Sequence, residues 1–555
     1  MLQIISTKRR FVNRRDFLKL TGSSVALGAI GSAFPSILKN ETVLANIDKY
    51  EYVVVLMLEN RSFDNMLGYL YSPGELTNGQ SFEGVAGKNL SNPLNINPND
   101  TIYSRDSIRV YPDSIMTNPS PDPGEEYPHV NTQLFGTILP DSNKYRHIST
   151  MQPPFNEPFP VPDTASMKGF VTDYIYYYKL YFGRYPKDDE YKIIMSCFPP
   201  SAVPVISTLA KEFAVCDHWY SAVPSQTYCN RSFFNAASSW GFVNNAPSER
   251  WVQNAAPTVY NRLSEVGVPW KVYFDVLDII PATLLLHLPA LIKHLDRFCS
   301  FDKFLNDVKN GDLPKYSFVE PRMHWFHNDE HPPDEGSLQN TNFPGPSNIL
   351  AGEQLIHTVY DAIKNSDSKN NNYKNTLLII TYDEHGGCYD HVPPVRVTPP
   401  YLNIPVPYTH GNEMGFNFDR SGIRVPAVLV SAYLKKNTVI NTTFEHTSVI
   451  KTLKEKFGFN YLTNRDEFNP TSLNNVFNLD TPRDRSTWPV TVPRPFKNYG
   501  DREFFNNELL TGFQRGLVVI AMKHANLNEP VPQTVGDALE ILQRVKQIMF
   551  PGFCF

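Results

Sequence analysis

Apolar runs that stop abruptly at polar residues punctuate this chain. Tyr52-Val-Val-Val-Leu-Met-Leu58 ends at Glu59-Asn60-Arg61-Ser62-Phe63-Asp64, and Leu377-Leu-Ile-Ile-Thr-Tyr382 ends at Asp383-Glu384-His385-Gly386-Gly387. A continuous, β-branched apolar run is the pattern of a strand buried on both faces of a parallel sheet. Residues 215–219, 270–276, 315–320 and 425–431 read as further strands. Helical spacing of apolar residues covers 203–213, 350–365, 446–457 and much of 500–550. Residues 72–125 are rich in Asn, Pro, Ser, Gly and Asp with weak periodicity, and read as a long loop region. Strands alternating with helices predict an α/β fold with a mostly parallel central sheet.

That fold gives the strand ends a meaning. Ligands of open α/β sheets bind beyond the carboxyl ends of the strands. Glu59, Asn60, Asp383 and Glu384 therefore qualify for one site despite their distance in sequence. Three carboxylates and an amide gathered there would repel one another unless a cation sat among them. Read singly, Glu59 and Asp64 are also ordinary acids for the start of a helix, and Asp383-Glu384 is an ordinary loop pair.

Composition changes the picture little: 555 residues, 41% hydrophobic and 19% charged, describe a large globular chain. The N-terminus changes it more. Lys8, Arg9, Arg10, Arg14 and Arg15 precede a short, weakly apolar stretch, 22–34, and small residues at Val43-Leu44-Ala45. Arg14-Arg15-Asp16-Phe17-Leu18-Lys19 resembles the twin-arginine export motif. Residues 1–45 are expected to be a signal peptide read by the twin-arginine machinery, and the mature protein to be periplasmic or secreted. Without them, 44 basic and 54 acidic side chains leave a net charge of −10. An acidic body argues against nucleic acid as a partner. None of the six cysteines has Cys-x-x-Cys spacing, so a zinc ribbon is not expected; disulfides and buried free thiols both stay open.

A third segment, Val223-Pro-Ser-Gln-Thr227-Tyr-Cys-Asn230-Arg231-Ser232, sets a hydroxyl, an amide and a guanidinium at close spacing. A hydroxyl beside a divalent cation becomes a nucleophile, and an amide one helical turn on could donate to a phosphoryl oxygen. Alone, this run reads as turn chemistry. Together, Glu59-Asn-Arg-Ser-Phe-Asp64, Val223-Pro-x-x-Thr-x-x-Asn-Arg231, Asn328-Asp-x-His-Pro332, Thr381-Tyr-Asp-Glu-His-Gly-Gly387 with Tyr389-Asp-His-Val-Pro393, and Glu445-His-Thr-Ser448 resemble the bacterial and plant phosphoesterase family. That family contains non-specific, non-haemolytic phospholipases C and a group of acid phosphatases.

The resemblance implies an alkaline-phosphatase-like three-layer sandwich. It implies one divalent metal ion (Ca²⁺, Mg²⁺, Mn²⁺ or Zn²⁺) held by Glu59, Asn60, Asp383 and Glu384. Thr227 would be the nucleophile, with Asn230 and His331 at the phosphoryl oxygens or the leaving group. Arg231, His129 and His385 are expected to contact substrate. One departure stands out. Plant members carry Asp-Pro-Gly-His where this chain has Asp122-Pro-Gly-Glu125, with His129 four positions on. The expected organisation is a catalytic domain over 46–495 and a helical extension over 496–555. The expected activity is phospholipase C-type hydrolysis of a phospholipid, with transient contact to a membrane surface. Hydrolysis of phosphate monoesters at the same site is the alternative.

Overall fold

Seven consecutive buried residues, Tyr52–Leu58, form the central strand β1 of an eight-stranded sheet. The computed structural model describes residues 46–76, 79–94, 106–325, 327–333, 349–402, 404–468, 471–495 and 506–552. The leader expected at 1–45, both ends of the segment 496–555 and Cys554 lie outside these residues. The remaining strands are β2 (Ala214–Cys216), β3 (Trp270–Phe274), β4 (Phe298–Ser300), β5 (Tyr316–Glu320), β6 (Thr376–Tyr382), β7 (Ala427–Val430) and β8 (Thr438–Ile440). Their order is β8-β2-β7-β6-β1-β5-β3-β4. All neighbours are parallel except β7, which runs antiparallel to both β6 and β2. The α/β class with a mostly parallel sheet is therefore what the chain forms.

The helices used below are α1 (Phe63–Leu67), α2 (Tyr127–Phe135), α3 (Phe170–Phe182), α4 (Pro204–Glu212), α5 (Thr227–Ala236), α6 (Phe301–Asn310), α7 (Ile349–Lys364), α8 (Thr447–Phe457), α9 (Gly512–His524) and α10 (Val535–Met549). Helix α4 packs on β2 and β7, and α7 on α4 and α6, while α5 packs on α8. A second, smaller apolar cluster joins α2 to α3 through Val130, Leu134, Phe170, Val171 and Tyr174.

Several boundaries differ from expectation for identifiable reasons. The run 215–219 is interrupted at the buried Asp217, which accepts from the Glu83 amide and from Asn441. The strand ends there, and a separate two-residue strand forms at Trp219–Tyr220. The loop region 72–125 contains short strands at Ser91–Pro93 and Ser107–Arg109 that pair with each other. The five cysteines among the described residues, Cys197, Cys216, Cys229, Cys299 and Cys388, are free thiols, four of them buried.

The decisive feature is register. β1 pairs with β6 from Tyr52 beside Thr376 through Leu58 beside Tyr382. The two strands end level, so Glu59-Asn60 and Asp383-Glu384 leave the sheet side by side.

Candidate active site

Beyond that shared edge the two loops lock together. The Asp383 amide donates to the Leu58 carbonyl at 3.1 Å, and the Arg61 amide to the Glu384 carbonyl at 3.1 Å. Asp383 Oδ1 accepts from the amides of Asn60 (3.1 Å) and Glu384 (2.8 Å). Asn60 adopts a left-handed backbone, φ 55°, which asparagine tolerates better than most side chains. Gly386, φ 60°, lies so close that a Cβ there would sit 2.1 Å from the Asn60 carbonyl oxygen. The Gly that follows the acidic pair thus permits the close approach of the two loops.

Helix α5 brings a hydroxyl and a guanidinium to the same edge. Thr227 is its first residue, and its Oγ1 donates to Asn60 Oδ1 at 3.3 Å. The preceding Gln226 caps the helix without a side-chain bond, and Asn245 Oδ1 takes the Tyr228 amide, while the positive dipole end of the helix start favours an anion. One turn on, Arg231 Nε donates to Glu59 Oε1 (3.1 Å) and Asp383 Oδ2 (3.2 Å). Its Nη2 donates to the Met57 and Leu58 carbonyls. Arg231 is thus a strut between strand ends. Asn230 commits its amide to the loop before α5: Oδ1 accepts from the Val223 amide, and Nδ2 donates to the Val223, Ser225 and Gln226 carbonyls. In this structure it shapes the turn that presents Thr227.

Two further loops reach Asn60. Asn60 Nδ2 donates one hydrogen to Glu125 Oε2 and the other to His331 Nε2, each at 2.9 Å. His331 Nδ1 faces the Pro332 carbonyl at 2.6 Å. A carbonyl only accepts, so Nδ1 carries the proton and Nε2 offers its lone pair. Asp329, fully buried, accepts from the His331 amide and pairs with His327 Nδ1 at 2.7 Å. Asp122, Glu125 and His331 bring ligand atoms within 4.8 Å of one another. Glu125, at the position where the plant pattern has histidine, is therefore the residue of that loop that reaches Asn60.

Charge at this edge is unbalanced. Burial pushes the Glu59 carboxyl well above its usual range; Arg231 pulls it back, and Asp383, Asp329 and Glu125 push it up again. Burial drives Glu384 up to about 8, a hydrogen bond with Glu125 opposes this, and Asp383 adds to it. Asp383 is also raised, chiefly by burial and against Arg231. Glu59 Oε2 and Glu384 Oε1 are buried without a hydrogen-bond partner. Unsatisfied carboxylate oxygens in an acid-rich, desolvated corner fit a hard divalent cation. These two oxygens suit a cation, but Glu59, Asp383 and Glu384 are not among the described acid and histidine groups whose ligand atoms gather within 4.8 Å. The tightest ligand group beside Asn60, however, is the loop trio Asp122, Glu125 and His331.

The other histidines stand behind this edge. His385 Nε2 donates to Gln133 Oε1 at 2.8 Å and its Nδ1 faces Glu384 Oε2 at 3.2 Å; burial pushes its pKa down to about 3. Gln133 Nε2 also reaches Asp173 Oδ2, and Asp173 Oδ1 holds His129 Nδ1 at 2.8 Å. Burial opposes a charge on His129, but Asp173 outweighs it and pushes the pKa up to about 9. His129 is therefore joined to Glu384 through a relay of side chains and is not brought to Asn60. His446 takes a hydrogen from Trp219 Nε1 and gives one from Nε2 to the Asp383 carbonyl at 2.5 Å, bracing the acidic loop. Arg61 donates to the carbonyls of Glu330 and Asn118, and Asp64 pairs with Arg424 and His391.

The model of the phosphoesterase family matches residues 50–460. This chain belongs to the phosphoesterase family. Non-specific phospholipase C3 of Arabidopsis thaliana is 31% identical over 89% of this chain and 87% of its own length. Non-specific phospholipase C1 of the same plant is 32% identical over 88% and 80%. A non-hemolytic phospholipase C of Burkholderia pseudomallei is 24% identical over 86% and 66%. Among solved structures, a Vibrio parahaemolyticus protein of the alkaline phosphatase superfamily matches 50% of this phosphoesterase and 67% of its own chain, at 14% identity and a TM-score of 0.30.

Sequence motifs named the strand-end acids, Thr227 and His331 of this phosphoesterase. They did not name Asp329, Gln133 or Asp173, and they flagged Glu125 only as a departure. Asp329 lies inside the Asn-Asp-x-His-Pro motif, so a signal existed. Gln133 and Asp173 act across helices and left no local pattern.

Proposed function

We propose that this phosphoesterase hydrolyses phospholipids by the phospholipase C reaction, with Thr227 as nucleophile. The observation that carries the reading is Thr227 Oγ1 at the start of α5, 3.3 Å from Oδ1 of Asn60, which leaves the sheet beside Asp383-Glu384. The names of the plant and Burkholderia relatives support a phosphodiester as substrate. Glu59, Asn60, Asp383 and Glu384 would hold a divalent cation, which when bound would favour the ionised hydroxyl and offset phosphoryl charge. Thr227 Oγ attacks phosphorus as the bond to the glycerol oxygen breaks, and diacylglycerol leaves after gaining a proton. Water then cleaves the phosphothreonine diester and releases the phosphorylated head group. The positive end of helix α5 would favour the phosphoryl oxygens. His331 and Glu125, both bonded to Asn60 Nδ2, are the side chains that would move the proton. Asn230 and Arg231 hold Thr227 and the acids in position.

We further propose that residues 1–45 direct export through the twin-arginine route. Replacing Arg14 and Arg15 by lysine should retain the protein in the cytoplasm; unchanged export would overturn this.

The test of the chemistry compares phosphatidylcholine with an aryl phosphate monoester. Thr227→Ala should lower diester turnover by about a thousandfold or more while folding normally. Thr227→Ser should keep a measurable fraction. Full activity in Thr227→Ala refutes the nucleophile, and a preference for the monoester refutes the substrate class.

A further inference from the structure

The segment 397–412 contains no Asp, Glu, Lys or Arg. At its tip Leu402, Ile404 and Val406 are 45, 44 and 45% exposed, with Pro405 and Pro407 exposed between and beside them. Prolines at 399, 400, 405 and 407 remove backbone donors and fix φ, so this tip is not built to pair as an edge strand. Below the tip lies an aromatic footing. Tyr408 is buried and its ring contacts those of Trp240 (5.7 Å), Tyr401 (5.8 Å) and His410 (4.8 Å). The loop is anchored by bonds from the Asn464 amide to the Pro400 carbonyl and from Arg465 Nε to the Thr398 carbonyl. Phe468, on the same short helix as Asn464 and Arg465, is 60% exposed.

The footing is shared with the active site. Tyr401 donates to Ser238, and Glu413, which follows the loop, accepts from the Val243 and Asn244 amides. Asn245 in turn binds Gln226 and the Tyr228 amide. Those residues flank Thr227. The loop and the nucleophile are thus mounted on one segment, 238–245.

Aliphatic tips over tyrosine and tryptophan are the arrangement that suits the boundary of a bilayer, with aliphatic groups among acyl chains and aromatic rings at the head groups. A tip without charge offers nothing to an ionic partner. We propose that Leu402, Ile404 and Val406 insert into the surface of a zwitterionic phospholipid bilayer and hold the Thr227 site against it. The substrate half of this inference rests on the phospholipid reading above; the binding half does not.

The experiment uses Thr227→Ala protein, which leaves vesicles intact, with and without the triple change Leu402→Ser, Ile404→Ser, Val406→Ser. Sedimentation with phosphatidylcholine vesicles reads binding. The triple change should weaken it by about tenfold or more, and high salt should not release the parent protein. In the Thr227 background, hydrolysis of a water-soluble phosphocholine diester should stay unchanged, which also reports folding. Equal vesicle binding by both proteins overturns the proposal. So does binding that salt abolishes, or a triple variant whose only change is loss of self-association in light scattering. Failure of Thr227 protein to hydrolyse any diester refutes the proposed function instead, and the vesicle result still decides the loop.

Discussion

Replacing Arg231 with methionine removes the guanidinium that spans Glu59 and Asp383. The wild-type side chain makes two bonds to carboxylates, at 3.1 and 3.2 Å, and reaches two strand-end carbonyls. Both carboxylates are fully buried. Breaking such a pair from one side leaves charge without compensation and costs about 3–5 kcal/mol. The loss must depend on pH. A carboxyl whose folded pKa lies above its unfolded one stabilises fully only below the unfolded pKa, and loses that contribution as pH rises through the folded pKa. Burial already raises Glu59 and Asp383, and Arg231 is what restrains both. Without it they rise further. The deficit of Arg231→Met should therefore be larger near pH 8 than near pH 5. Arg231→Lys, which keeps a charge but not the fork, should fall between. Denaturant unfolding of chelator-treated protein at both pH values reads the difference. A variant as stable as wild type at pH 8, or a deficit that does not change with pH, would refute the strut.

Other changes probe separate parts of the edge. Gly386→Ala forces a left-handed alanine against the Asn60 carbonyl; it should cost about 1–3 kcal/mol and lower turnover, read by thermal unfolding and by diester hydrolysis. His129→Gln removes a cation whose folded pKa is raised to about 9. Its contribution, about 3 kcal/mol, is fully present below the usual histidine range and lost as pH rises through 9, so wild type and variant should converge in stability at high pH. Chelation should abolish turnover and lower the unfolding temperature, and Ca²⁺, Mg²⁺ or Mn²⁺ should restore both; a chelated protein with full activity refutes the metal.

Local pattern carried the strands because burial on both faces writes a continuous apolar run, as in Tyr52–Leu58 and Thr376–Tyr382. It did not carry their neighbourhood. That Leu58 stands beside Tyr382 is a matter of register across distant segments, which no window of sequence contains. Nor did it carry direction. The run at β7 looks like its neighbours, yet the strand is antiparallel, because the chain enters it from the opposite end of the sheet. Helix α3 escaped notice for a different reason. Its Tyr174-Ile-Tyr-Tyr-Tyr178 stretch is buried nearly all round, and aromatic residues favour strands on propensity alone.

At the site the same divide holds. Residues that touch the reacting edge lie within a few positions of a strand end or helix start, so motifs find them. Residues that hold those side chains in place lie elsewhere and answer to three-dimensional contacts. Asn230 shows why residue type is a weaker guide than spacing: an amide one turn from the nucleophile suits a phosphoryl oxygen, yet its four bonds go to the turn itself. Glu125 shows the reverse. A glutamate in place of histidine looks like a lost function, but it bonds Asn60 beside His331 and adds an acid to a corner already short of positive charge. Asp329 has His327 beside it, but Arg231 alone cannot balance Glu59, Asp383, Glu384 and Glu125. Such a surplus is destabilising without counter-charge and would become favourable around a divalent cation, so under the proposed metal site the excess of acids would both limit the stability of the metal-free protein and prepare it to accept the ion.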